Sequence, residues 1–380
     1  MGKRVLITGL STYWGGRLAQ VLEQDPDVDT IIGIDRRPPK VALERTEFVH
    51  VADAHSLIRR IVQAAEIDTV VDTRLVVDST VTTPKRAHEN NVIGTMNILA
   101  ACSGEDSCVR RLIVKSSAHF YGAEQDDPAF FTEEMRRPHP PRTRLERDIV
   151  EAEEAIQDFA HSEDKVKVSV IRFASVLGAG MNTSLTRVLS LPVVPTILGF
   201  DPRVQVLHED DLVGILAHAV QSDLEGVYNG AADGVLSLGE VLDLLGKPAA
   251  PILPPWGTGV VAAQLKRVGI EIPDELLAML RYGRGLDNRR LKATGYRFRY
   301  TSRETFQRFS QVLRVAPIAQ GAGVGDTYRY EREVEDFLRY SPSVRTAQPA
   351  RRLQNTAPPE RDRDAGPPPE LAREAESAGS

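Results

Sequence analysis

Six short runs of β-branched and apolar residues, KRVLIT, TIIGID, EFVHV, DTVVDTRLVV, RRLIVKS and VKVSVIRF, recur before residue 175. Runs of this kind, with no polar face, are what strands covered on both sides by helices require. Helical patterns lie between most of them. GGRLAQVLEQ, SLIRRIVQAAE, NNVIGTMNILAAC and RDIVEAEEAIQDFA repeat apolar residues at three- and four-residue spacing, as in Ile149, Ala152, Ile156 and Phe159. Short right-handed crossovers turn such an alternation into an α/β fold with a doubly wound parallel sheet.

Past residue 176 the rhythm breaks, with prolines at 192, 195, 202, 248, 251, 254 and 255. The pattern predicts a doubly wound domain over 1–175 and a smaller, loop-rich lobe over 176–318, with some exchange of chain between them. A C-terminal extension follows at 319–340. Residues 341–380 are mostly Pro, Arg, Glu, Ala and Ser, too poor in bulky apolar groups to offset their own ordering entropy, and are expected to be a disordered tail. The 42% of apolar residues suffices for a sizeable core, and the net charge of -6, with both signs interspersed, gives no footprint for nucleic acid or an anionic membrane. Cys102 and Cys108 match neither a zinc spacing nor a disulfide framework, so reduced thiols and no metal centre are expected. A strand-like run from Lys3 leaves no room for a signal peptide, and stretches such as SLPVVPTILGF are short and broken by proline. The expectation is a soluble cytoplasmic protein.

The strand VLIT runs into GLSTYWGG and then a helix, which places Gly9 and Gly15 at a tight turn where backbone amides and the helix dipole face one point. Thr12 stands where a middle glycine would help. Asp35 ends the second strand, about twenty residues on, where a carboxylate can accept from both hydroxyls of an adenosine ribose. Arg36 and Arg37 follow it, and an arginine there can pair with a 2'-phosphate. NAD is the expected cofactor, with NADP as the alternative.

Several motifs then fall in order: TGLSTYWGG, VADAH, ENNVIGTMNILAAC, KSSAHFYG, IRFASVLG, and VQVLHEDDLVG with GVYNGAADG. Together they resemble the extended short-chain dehydrogenase/reductases, the NAD-dependent epimerase/dehydratase group that contains UDP-glucose 4-epimerase. The resemblance covers roughly residues 3–315. It implies a Rossmann-type domain, a substrate lobe, NAD, and a small-molecule substrate that is a nucleotide sugar or a related carbonyl or alcohol. Cofactor contacts are implied for Gly9, Thr12, Gly15, Asp35, Arg36, Asp53, Thr73, Arg74, Asn91 and Ser116, and Ser117 falls at the serine that orients the reacting oxygen. Ser175 stands where the family has an asparagine near the substrate diphosphate; Arg203, Arg281 and Arg284 are candidate phosphate holders in the second lobe. His208, Asp210 and Asp211 match a motif that caps a helix. By analogy a homodimer would form through RAHENNVIGTMNILAAC and RDIVEAEEAIQDFA.

The resemblance fails at one place. The family has a tyrosine, with a lysine four residues later, about twenty-five residues beyond the serine. Counting back from Glu151, taken as the acid after the lysine, puts the tyrosine on Thr143 and the lysine on Arg147. No shift restores the pair, because no tyrosine occurs between Tyr121 and Tyr228 and no lysine between Lys115 and Lys165. A threonine hydroxyl is too weak an acid to replace the phenol, whereas Arg147 still has donors for the nicotinamide ribose. His119 and Tyr121 are the candidate acid/base groups, with Lys115 behind them. Arg74 replaces a small residue that in the family lies against the cofactor. Two functions stay open: an epimerase/dehydratase-like enzyme with an unassigned proton carrier, or a non-catalytic dinucleotide-binding protein acting as redox sensor or scaffold. A methyltransferase shares the glycine turn and the acid, but the second-lobe motifs argue against it.

Overall fold

The computed structural model describes residues 2–51, 55–253 and 271–319, together with 263, 266 and 267. Asp53, residues 320–340 of the expected extension and the expected tail 341–380 lie outside the described residues.

Strands β1 (Lys3–Thr8), β2 (Val28–Asp35), β3 (Thr46–His50), β4 (Thr69–Asp72), β5 (Arg111–Ser117) and β6 (Lys167–Phe173), joined by the strand Gly226–Gly230, make one sheet. Every pairing in it is parallel. Its order is Gly226–Gly230, β6, β5, β4, β1, β2, β3, so the chain winds outward one way from β1 and the other way from β4. A crevice opens at that reversal, at the carboxyl ends of β1 and β4. Alternate residues of each strand feed opposite cores. Val5, Ile7, Val71 and Ile113 pack with Leu18 and Leu22 of α1 (Tyr13–Glu23) and with Ile215 and Leu216 of the helix Glu209–Gln221. Leu6, Val70, Leu112 and Val114 pack with residues of α2 (His55–Ala64), α4 (Gly94–Cys102) and α5 (Arg144–Ser162). Burial on both faces explains why the strands lack a polar side. Cys102 sits in the second of these cores, where burial pushes its thiol up to about 12 and leaves it inert.

The run DTVVDTRLVV is only in part a strand. β4 stops at Asp72 because the following backbone is held by side chains: Asn91 accepts from Val76 N and donates to Val76 O, both at 2.8 Å, and Asn90 donates to Arg74 O at 2.8 Å. Both asparagines lie in a π-helical turn, Glu89–Ile93, which joins α3 (Pro84–His88) to α4.

The described residues fall within one compact unit. Beyond residue 175 a separate small core forms around Leu177, Val188, Val206, Leu242 and Phe306. The chain also crosses back, since the helix Glu209–Gln221 and the strand Gly226–Gly230 belong to the main sheet and its covering layer. Among the described residues, no helix is long and apolar enough to cross a membrane.

Candidate functional site

At the end of β1, Gly9 turns the chain with φ +81°, and a Cβ built on Gly15 would lie 2.3 Å from the Gly9 carbonyl oxygen. Helix α1 can therefore start against the strand only with glycine at that position. Thr12 is its N-cap, donating through Oγ1 to Gly9 O at 2.6 Å and accepting from Gly15 N at 3.0 Å. Thr73 ties the turn to the sheet by donating to Thr8 O at 2.9 Å. Thr12 thereby takes the Gly15 amide, and both threonines fix the shape of the turn. No acidic residue occupies the first turn of α1. Asp35 takes the Ser11 amide at 2.9 Å and the Ser11 hydroxyl at 2.7 Å, with the Arg37 amide at 3.3 Å. Asp35, exposed Arg36, Thr12 and Arg74 all line one cleft of about 670 Å³, a volume within the range of small-molecule sites.

Arg74 lies across the turn, its Cγ 2.6 Å from where a Gly9 Cβ would stand and its Nη1 2.4 Å from where a Gly94 Cβ would stand. It makes two parallel bonds to Asp72, Nε to Oδ1 and Nη2 to Oδ2, each 3.0 Å. Burial pushes the Asp72 carboxyl up, but the Arg74 guanidinium and the Thr8 hydroxyl outweigh it and hold the group below the usual carboxylate range.

A second cavity, of about 90 Å³, lies at the carboxyl ends of β5 and β6 against the small lobe. Ser117, Lys115, His119, Asp78, Ser175 and Glu275 are among its walls. Ser117 ends β5 and accepts from His119 N at 3.2 Å. Ser175 donates to Met279 Sδ at 3.4 Å. Asp78 accepts from the Thr80 amide at 2.9 Å and the Ser184 amide at 2.6 Å, and Glu275 from the Ser79 hydroxyl at 2.6 Å. Burial raises Asp78, yet these donors keep it below its ordinary value. Lys115 is 3% exposed and its Nζ donates to Leu75 O at 3.0 Å. Among the described residues it has no carboxylate partner, and burial, only partly opposed by Asp72, brings it down to about 8. Burial and the charge of Arg284 push His119 down to about 3, so its imidazole is neutral at physiological pH and a poor proton acceptor. Tyr121 drops out as a proton carrier for a plainer reason: it is fully buried and lines neither cavity. Its hydroxyl donates to Asn229 Oδ1 at 2.8 Å and accepts from Arg172 at 2.9 Å, and its ring stacks on Phe131.

Residues 5–229 match the model of the NAD dependent epimerase/dehydratase family. The chain belongs to this family. An uncharacterized protein of Mycobacterium tuberculosis is 32% identical over 324 residues, 83% of this chain and 85% of that one. UDP-glucose 4-epimerase of Thermotoga maritima, solved with UDP-glucose, superposes with a TM-score of 0.63 at 17% identity, covering 83% of this chain and 99% of that chain. dTDP-glucose 4,6-dehydratase of Bacillus anthracis, solved with NAD, gives 0.61 at 16% identity, covering 82% and 97%. At these identities the solved structures establish the Rossmann-type fold and its small lobe.

Within the family's pattern, α5 corrects the sequence reading. Thr143 is the N-cap of α5 in a full capping box: its Oγ1 accepts from Glu146 N at 3.1 Å, and Glu146 reaches back to the cap. Arg147 is exposed and lines neither cavity, so it is badly placed for a nicotinamide ribose. The acid that faces inward is Glu153, 1% exposed, which pairs with Arg172 at 2.7 Å and accepts from the Ser116 hydroxyl; Glu151 is exposed. Counting from Glu153 moves the register by two. By that count Leu145 and Ile149 would stand at the tyrosine and lysine places; both are buried in an apolar cluster with Leu75 and Val76. Ser116 is committed to Glu153 and Asn91 to the Val76 backbone, so both support the site from behind.

The second-lobe arginines are not brought together in either cavity. Arg203 is exposed; Arg281 lies over the rings of Phe200 and Tyr282 at 4.9 and 5.0 Å. Arg284 donates to Gly122 O at 2.8 Å and is lowered to about 10 by burial. His208 caps the helix Glu209–Gln221, and Asp211 is spent on Tyr296, Arg299 and Tyr300. Where the cysteine spacing predicted no metal centre, His88, Asp148 and Glu151 do place donor atoms within 4.8 Å of one another. Within that grouping His88 Nδ1 lies 2.9 Å from Asp148 Oδ1.

Proposed function

We propose that this family member binds NAD in the larger cleft and acts on a hydroxyl or carbonyl of a nucleotide-linked sugar in the smaller cavity, using a proton carrier other than the family's phenol. One observation carries the reading: a turn that tolerates only glycine at Gly15 and opens on a helix start without acidic side chains, with Asp35 on the same cleft. That arrangement suits a pyrophosphate at the α1 amides and a ribose diol on Asp35. A carboxylate there disfavours a 2'-phosphate, which supports NAD over NADP despite Arg36 and Arg37. Bound NAD would supply a hydride acceptor. Ser117, on the wall of that cavity, would hold the reacting oxygen by a hydrogen bond. The relatives solved with UDP-glucose and with NAD support the substrate class and the cofactor.

The second reading, a dinucleotide-binding protein without catalysis, is favoured by the buried apolar Leu145 and Ile149 at the places counted from Glu153, which provide neither phenol nor ammonium. Titration calorimetry with the oxidised and reduced forms of both cofactors tests the first half of the proposal. Hydride exchange with a panel of UDP- and dTDP-hexoses, using Ser117→Ala as control, tests the second. Flat titrations with all four forms would remove the cofactor. Tight NAD binding with no exchange from any hexose would establish the non-catalytic reading, and exchange untouched by Ser117→Ala would remove the serine.

A further inference from the structure

We propose that Lys115 is the proton-transferring residue of the small cavity, set beside Ser117 with its ammonium facing the place of the reacting oxygen. The inference rests on the dinucleotide reading above and assigns the carrier which that reading lacks. A lysine is almost never fully buried unless paired, yet Lys115 is 3% exposed and has, among the described residues, one hydrogen-bond partner, the Leu75 carbonyl, for three donors. The acid closest to it in charge, Asp72, is already committed to Arg74 through two bonds. Lys115 lines the small cavity together with Ser117.

Other groups facing the cavity are less suited. Asp78 is held ionised by Thr80 and Ser184, Glu275 is engaged by Ser79, and His119 is neutral down to about 3. Lys115, lowered to about 8 by burial, is the one whose protonation changes near physiological pH. Among the described residues, helix α5 contributes none of the cavity's walls. In the oxidative direction the neutral amine takes the proton of the substrate hydroxyl. The O–H bond breaks as an N–H bond forms, and the oxygen keeps the electron pair that becomes the carbonyl π bond as hydride leaves the carbon for the NAD ring. The ammonium returns the proton in reverse. A positive nicotinamide nearby favours the neutral amine, which is the form needed when the oxidised cofactor is bound.

The test uses the full chain, Lys115→Met, and Lys115→Gln should the first variant fail to fold. The lysine side-chain ¹⁵N resonances are followed against pH in the free protein, and NAD⁺ is titrated at pH 8 in two buffers of different ionisation heat. A midpoint near 8 that disappears in the variant is expected, with release of a fraction of a proton on NAD⁺ binding by wild type and none by the variant. In the hexose assay the variant is expected to lose roughly 10²-fold or more. A midpoint at the ordinary lysine value near 10.4, or equal proton release in the variant, overturns the assignment. If NAD⁺ does not bind at all, the cofactor reading falls, and the midpoint in the free protein then decides Lys115 by itself.

Discussion

Helices α1 and α5 both begin at a threonine N-cap, Thr12 and Thr143, and they do opposite things with their positive ends. In α1 the cap satisfies Gly15 N and no acid enters the first turn. In α5 the cap is half of a reciprocal box with Glu146, which also accepts from Arg142 N at 3.0 Å and pairs with Arg137 at 2.8 Å. A helix end whose dipole is neutralised by its own side chain has nothing to offer an outside anion, whereas one left open does. The same capping residue thus marks a binding element in one place and a purely structural one in the other.

The largest expected effect tests whether the inward charge of α5 has been turned to the fold. Glu153→Ala strands Arg172, which is 2% exposed, and should cost about 3–5 kcal/mol in urea unfolding. A loss below ~1 kcal/mol would return the register of α5 to Glu151. Lys115→Met comes next, and its sign depends on pH. The folded lysine titrates at about 8, below its unfolded value near 10.4. Under pH 8 the native state must therefore carry a buried ammonium at a cost that fades as pH rises from 8 to 10.4. The variant should gain on the order of 3 kcal/mol at pH 6–7 and nothing above about pH 11; a pH-independent difference would break the contrast between an ionisable end of β5 and an apolar start of α5.

Asp35→Asn should weaken NAD about 10- to 100-fold by calorimetry, the scale of hydrogen bonds to a charged group, and weaken NADP less. Equal losses for both cofactors would mean that Asp35 only pins Ser11. Thr143→Ala should cost ~1 kcal/mol of stability with cofactor affinity unchanged. Arg147→Ala, at the small end, should stay within about 0.5 kcal/mol and a twofold change in affinity. Any larger effect on NAD would bring α5 back into the cofactor site.

What the sequence makes legible follows the range of the forces involved. The doubly wound sheet and the glycine turn are local patterns: strand runs, helix periods, and a Gly9 to Asp35 spacing. The end of β4 is not local, because the ladder past Asp72 is broken by Asn90 and Asn91 reaching back from the π turn. The register of α5 is not local either. Glu151 and Glu153 are equal as letters, and only Arg172 on β6 selects which one turns inward. Tyr121 reads like a pocket wall until Asn229 and Arg172 take its hydroxyl, from positions 108 and 51 residues away. Lys115 is visible only as a strand-end lysine, since the commitment of Asp72 to Arg74 is a fact of packing.

The π turn at Glu89–Ile93 carries a consequence of its own. A wide turn holds one residue more than the regular spiral, so the segment from Pro84 to Cys102 is a single-codon deletion away from an unbroken α-helix. Such a deletion would rotate Asn91 off the Val76 backbone by roughly a quarter of a revolution and release residues 74–76 at the carboxyl end of β4. The stretch that lines the larger cleft would then be free to extend as strand. Length variation in this short helix, more than any point substitution nearby, is therefore the genetic event by which this lineage could gain or lose its pocket.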